Sequence, residues 1–239
     1  MRAHRLPTAA RRASPPGPGA GRGLGRQATG NVAAISALQK LAPGKTLFSE
    51  GHHAEYVFEV IHGVLRLHKL LSDGRRQITG FPSAGRLLGL AHDDLYLYTA
   101  EAIAAVTLRR YSRAGFATFV DQVPGFARRL IVMTAIELCA AQDQMLLLGR
   151  KAAIEKLASF LLQLAGEDGS GDERAVQIPM TRSDIADHLG LTIETVSRTF
   201  TKLKQDGMIA LSPPSCVTFL NRGGLETLAA GEGQRLPAG

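Results

Sequence analysis

The stretch Thr181–Met208, TRSDIADHLGLTIETVSRTFTKLKQDGM, decides how the rest of this chain is read. It spells two short helices joined by a tight turn. Thr181, with Asp184 three residues on, makes a capping-box-like start. Ile185, Ala186 and Leu189 supply the buried side of the first helix. Gly190 closes that helix, because glycine tolerates the left-handed position just past a helix end. Leu191 packs in the turn and Thr192 caps the second helix. Two stripes then separate at helical spacing: Ile193, Val196, Phe200 and Leu203 are apolar, while Glu194, Ser197, Arg198, Thr201 and Lys202 form the opposite face. This is the helix-turn-helix pattern.

The polar stripe fits DNA. The first residues of such a second helix meet base edges in the major groove. Glu194 is suited to accept from the amino group of cytosine, Arg198 to fork onto guanine, and Ser197 to contact several bases. Lys202 and Lys204 lie further along, toward phosphate. A carboxylate near phosphate is costly, so Glu194 is expected to reward the right base and penalise others. From the residues alone, a solvated helix face with Glu194 and Arg198 as an i,i+4 ion pair competes with this reading.

The segment IADHLGLTIETVSRTFTKLKQDGMI (185–209) resembles the helix-turn-helix of the CRP/FNR family of bacterial transcription regulators. QMLLLGRKAAIEKLASFLLQL (144–164) is similar to that family's dimer-helix end and following helix. The resemblance covers roughly residues 31–228 and is most specific in the C-terminal third. Glu194, Ser197 and Arg198 in the spacing E-x-x-S-R are similar to the FNR and FixK branch, which reads inverted repeats of the TTGAT type. The cyclic-AMP receptor branch tends to carry a basic residue before this Glu and Gly where Ser197 stands. The resemblance implies an α+β fold: a cyclic-nucleotide-binding-like β-roll, a long dimerisation helix and a C-terminal winged helix-turn-helix. It implies double-stranded DNA, a homodimer mate and RNA polymerase as partners. The expected DNA contacts are Thr181, Ser183, Thr192, Ile193, Glu194, Ser197, Arg198, Thr201 and Lys202.

Charge by itself argues less. The chain of 239 residues has net charge +7 and a pI near 9.8. Residues 1–30 hold six arginines and no acid, and without them 22 basic residues face 21 acidic ones. The case for DNA rests on where charge sits, not on its total. Segment 1–30, rich in Pro, Gly and Ala, reads as a disordered basic tail. A solvated tail, a basic arm adding nonspecific DNA affinity, a transit peptide and a misassigned start codon all compete there.

Residues 31–123 read as the roll. Val32 to Leu41 is expected to be a short helix. Strands are expected at Thr46 to Phe48, Tyr56 to Ile61, Val64 to Leu70, Arg76 to Phe81 and Ala102 to Arg110, with Gly and Pro between them. The residues 124–149 form one helix, Pro124 suiting its start. Leu130, Met133, Glu137, Ala140, Gln144 and Leu147 step at heptad-like spacing and are the expected dimer seam. A core helix packed on the roll is the competing reading. Residues 150–230 form the DNA-binding domain, from a hinge at Gly149 through a helix at Lys151 to Ala165. A hairpin around Pro213-Pro214 makes its wing, and 231–239 is a loose tail.

The absences also carry expectations. Nucleotide-binding relatives grip phosphate with a Glu after Gly and an Arg-Ser or Arg-Thr pair. Here Leu90 follows Gly89, and Tyr96 and Leu97 stand roughly where that pair would be, so no cyclic-AMP binding is expected. An iron–sulfur cluster needs about four thiolates, and the chain has two cysteines, Cys139 and Cys216, neither before the roll. Their separation points to a reducing cytoplasm rather than a disulfide framework. Cys139 reads as a small apolar residue ahead of a redox thiol. The histidines His52, His53, His62, His68 and His92 lack ligand spacing, so neither haem nor metal is expected and the cofactor expectation is none. The apolar run from Leu130 to Ala141 is broken by Thr134 and Glu137, so no membrane span is expected. No nucleophile elbow, P-loop or triad points to an enzyme. A winged helix that binds protein instead of DNA is the reading from another class, and salt dependence separates the two.

Overall fold

The computed structural model describes residues 36–91, 94–167, 174–212 and 215–231. The tail readings for 1–30 and for 232 onward, the loop 168–173, the Pro213-Pro214 turn and His92 lie outside them.

Among the described residues, eight short strands make the roll: β1 (Ser36–Leu41), β2 (Thr46–Phe48), β3 (Tyr56–His62), β4 (Leu65–Leu70), β5 (Arg76–Gly80), β6 (Leu87–Leu88), β7 (Thr99–Ala102) and β8 (Val106–Ser112). They form two antiparallel sheets, ordered β1-β8-β3-β6 and β2-β7-β4-β5. Between them lies an apolar core that includes Phe58, Val60, Leu65, Leu88, Ala100 and Leu108. Alternation builds it: Leu65 and Leu67 of β4 pack into this core, while Arg66 between them turns to the other face and pairs with Glu101.

Three expectations fail here. Ser36–Leu41 is a strand, not a helix, because all six residues pair with β8, from Ser36 opposite Tyr111 to Leu41 opposite Val106. Long-range pairing outweighs the local helical pattern of alanines and leucines. The single strand expected from Ala102 to Arg110 is two, divided at Ile103–Ala105, with β7 in one sheet and β8 in the other. The segment after β8, read as part of the strand-like region, is helix α1 (Arg113–Gln122). Ser112 caps it by accepting from the Gly115 amide at 3.1 Å, and it buries Phe116 and Phe119.

Helix α2 (Phe126–Arg150) follows, starting after Gly125 rather than at Pro124. It continues through Gly149 and ends at Lys151, whose backbone is extended. Next come α3 (Ala153–Glu167), β9 (Ala175–Gln177), α4 (Arg182–Leu189), α5 (Ile193–Gln205), β10 (Ile209–Ser212), β11 (Cys216–Phe219) and α6 (Arg222–Ala229). The last three strands form a sheet ordered β10-β11-β9. The core of this half includes Leu157, Phe160, Leu161, Ile185, Leu189, Val196, Phe200 and Leu203, and it runs on into Ile78 and Phe81 of the roll.

Along α2, the residues of the expected dimer seam make contacts within the chain. Leu130 packs beside the cluster of Tyr111, Phe116 and Phe126. Glu137 pairs with Arg86 of the roll, Gln144 donates to the His188 carbonyl at 3.0 Å, and Leu147 is buried in the protomer's own core. Met133 and Ala140 line a cleft against the roll. Most of the line thus meets its own chain, with the Glu137 side chain still 59% exposed. A different line points outward: Ile131, Leu138 and Met145 are 71%, 60% and 66% exposed. Periodicity finds stripes on a helix, but not which body each stripe meets. Among the described residues α2 is the one helix long and apolar enough, by length and composition, to cross a membrane. The breaks at Thr134 and Glu137 do not remove that property.

Candidate nucleic-acid interface

The reading head is built from its caps upward. Thr181 accepts from the Asp184 amide at 3.1 Å, while Asp184 Oδ2 accepts from the Thr181 amide at 3.1 Å and from its hydroxyl at 2.7 Å. This closes a reciprocal capping box on α4. Gly190 ends the helix at φ 61°, a left-handed backbone that a side chain would strain. Thr192 caps α5 by accepting from the Thr195 amide at 3.2 Å. Val196, Thr199, Phe200 and Leu203 are buried, so α5 is anchored along one side.

That anchoring leaves the other side free. Thr192, Ile193, Glu194, Ser197, Arg198, Thr201 and Lys202 are exposed, as is Thr181; Ser183 is half-buried. The expected contact residues are thus accessible, those within α5 on the side away from its buried stripe. Lys202 pairs with Asp206 at 3.1 Å. No ion pair joins Glu194 and Arg198 among the described residues. The Glu194 carboxylate is held below its usual range by its own backbone amide, the Thr192 hydroxyl and the nearby Arg198 charge. It is an anion presented at the N-terminal turn of α5.

Sequence reasoning missed two features. Arg182 lies over the Phe200 ring at 3.2 Å, tying the start of α4 to the middle of α5. The second is the seam between head and roll. Asp184 meets Arg66 and Arg76, both at 2.9 Å. His188 is buried between Phe81 and Phe160, with Nδ1 3.1 Å from the Ile78 carbonyl. No local signal announces the contacts of Asp184 and His188 with the roll, since Arg66, Arg76, Ile78 and Phe81 lie more than one hundred residues away.

Burial lowers the His188 pKa from 6.5, against the pull of the Ile78 carbonyl. The folded state therefore binds fewer protons than the unfolded one, and stability rises with pH in this window. The contribution is full above 6.5 and declines as pH falls below it. The expected result is a melting temperature that drops on acidification from pH 6.5. The decline should be shallower in His188→Gln, and equal slopes would remove His188 from the account.

A concavity lies between roll, α2 and α3. It is a cleft of about 570 Å³ lined by Leu67, Leu88, Leu90, Tyr98, Met133, Thr134 and Phe160 among others. Tyr96, expected near this pocket, instead stacks on Phe48 at 3.9 Å and donates to the Tyr56 carbonyl at 3.1 Å. The residue that faces the cleft is Tyr98, whose phenol is pushed up by burial. Gly89, at φ 80°, brings the chain within 2.7 Å of the Tyr56 carbonyl for any added Cβ, which accounts for glycine at this bend.

Fold and reading head together define a two-domain, helix-turn-helix DNA-binding regulator. Residues 155–228 match the Crp-like helix-turn-helix domain and residues 38–123 the cyclic nucleotide-binding domain. The chain is 45% identical over 191 residues to the nitrogen fixation regulation protein FixK of Bradyrhizobium diazoefficiens, covering 78% of this chain and 79% of that one. It is 45% identical over 195 residues to the transcriptional activatory protein AadR of Rhodopseudomonas palustris, covering 80% of each. The structure of FixK2 from Bradyrhizobium japonicum matches with TM-score 0.75 and 38% identity, over 81% of this chain and 97% of that one. The chain belongs to the CRP/FNR family. Within that family it is a FixK/FNR-like transcriptional activator with a helix-turn-helix DNA-binding domain, and not an enzyme.

Proposed function

We propose that this protein acts in the cytoplasm as a homodimer, reads TTGAT-type inverted repeats in double-stranded DNA, and activates transcription through contact with RNA polymerase. In this reading it needs neither cyclic AMP nor an iron–sulfur cluster. The observation that carries the proposal is the outward face of α5, where Glu194, Ser197 and Arg198 stand exposed on a helix anchored by Val196, Phe200 and Leu203. Arg198 reads guanine, Glu194 selects cytosine, and Thr181, Ser183, Thr192, Ile193, Thr201 and Lys202 complete the footprint. Two heads related by a dimer axis meet half-sites about one helical turn apart.

Two observations support independence from the familiar effectors. The cleft is lined by Leu90 and Tyr98, and its one arginine among the described residues, Arg86, is engaged by Glu137 rather than left for a phosphate. A cluster wants about four thiolates, and the chain has two cysteines. The apolar cleft itself favours a second reading, in which a different, largely apolar signal seats there and switches the reading head.

Fluorescence anisotropy on a TTGAT-type duplex, with the guanines changed in a control duplex and near-physiological salt, separates these readings. Tight, selective binding without any added effector is the expected result. Binding that is absent or unselective without effector would favour the signal-dependent reading or a different DNA site.

A further inference from the structure

Asp184 serves two bodies at once. Its Oδ2 closes the capping box of α4, while its Oδ1 accepts from Arg66 Nη1 and Arg76 Nη2, both at 2.9 Å. These arginines project from β4 and β5, which form one hairpin of the roll. Arg66 also grips Glu101, Nη2 to Oε1 at 2.6 Å and Nε to Oε2 at 3.3 Å. Arg76 reaches Asp187 one turn along, with Nε 2.8 Å from Oδ2. Asp184 is 1% exposed. The Asp184 carboxyl would rise on burial, but the bonds from Thr181 and the charges of Arg66 and Arg76 hold it below its usual range.

The capping box alone does not require the arginines, since Thr181 and Asp184 complete it within one helix. The helix passes into an extended residue, Lys151, between α2 and α3. This carboxylate with its two guanidinium groups and the His188 contact hold the head against the roll, beside the apolar seam in which Ile78 and Phe81 join the head's core. In this fastened pose the reading face of α5 is fully outward.

We infer that Arg66 and Arg76, through Asp184, are positioning residues for DNA binding: they fasten each reading head at the angle in which a two-fold pair of heads meets its two half-sites. Neither arginine needs to touch DNA. A head released from the roll samples other angles, and apparent affinity falls with the fraction of heads in the competent pose. Two heads must be competent together, so the fractions multiply. Removing the arginines also leaves a buried carboxylate without its cations, which drives the head off the roll.

The inference rests on the DNA-reading assignment above, so its test has one arm without DNA. Full-length protein, Arg66→Ala/Arg76→Ala, Asp184→Asn and the triple variant are compared. Asparagine keeps an acceptor for the cap but drops the charge, and it carries the test should the double variant fail to fold. With no DNA present, tryptic cleavage after Arg150 and Lys151 is expected to be faster in all three variants, with far-UV circular dichroism retained. On the TTGAT-type duplex, affinity is expected to fall about tenfold, as when each of two heads is competent about a third of the time. The ratio between matched and mismatched duplexes is expected to stay constant, because the base contacts are intact. The triple variant should bind no more weakly than the double, since all three break one lock. Failure of the parent protein to bind this duplex would count against the site assignment, and the cleavage arm would still judge the lock. Unchanged cleavage overturns the inference. So does unchanged affinity, or a gain in affinity, which would make the lock a restraint.

Discussion

Leu138→Asp is expected to leave a folded monomer that no longer holds the inverted repeat at concentrations where the parent protein does. Leu138 lies midway along the outward line of α2, seven residues from both Ile131 and Met145, and all three are exposed apolar side chains. A seven-residue step on a helix is the repeat of a helix-to-helix seam. A charge at its centre would be buried against its own copy across a two-fold axis. Losing the mate converts a two-headed reader into a one-headed one, and linked binding exceeds a single module by about 10²–10⁴-fold. Sedimentation velocity reads the mass and anisotropy the affinity. The control is Leu147→Ala. Because Leu147 is buried within the protomer, it should cost about 2–5 kcal/mol of stability while the dimer survives. The opposite pattern, a dimer lost with Leu147 and kept with Leu138→Asp, would restore the line from Leu130 to Leu147 as the interface.

The second large effect is at the bases. Arg198→Ala is expected to weaken binding to the matched duplex by about 1–3 kcal/mol, with less loss on the duplex whose guanines are changed. Glu194→Ala is expected to act differently, relaxing base preference while costing little affinity, because it also removes an anion from the neighbourhood of phosphate. The absence of an ion pair between the two residues among the described residues makes this separable. Were Glu194 only a solvating partner for Arg198, its removal would leave the ratio between matched and mismatched duplexes untouched. That outcome would withdraw the base-selecting role.

The sequence by itself determined the reading head. Its caps, turn glycine and two stripes are local features, spaced by the geometry of one helix, and Thr181, Asp184, Gly190 and Thr192 carry them within a dozen residues. The glycine-punctuated strands of the roll were legible for the same reason, since a half-buried strand writes its alternation into neighbouring positions. Ser36–Leu41 was misread because its structure is set by β8, some seventy positions along, rather than by its own residues. Which stripe of α2 the chain itself covers was not legible, because two apolar stripes share that helix, and only the placement of roll and head shows which is already covered. The fastening of Asp184 by Arg66 and Arg76 was invisible. Charged residues on a strand pattern look solvated until the fold buries their partner, since burial depends on all the elements that close around a site. Local periodicity is a property of the chain; which surfaces meet is a property of the packed body.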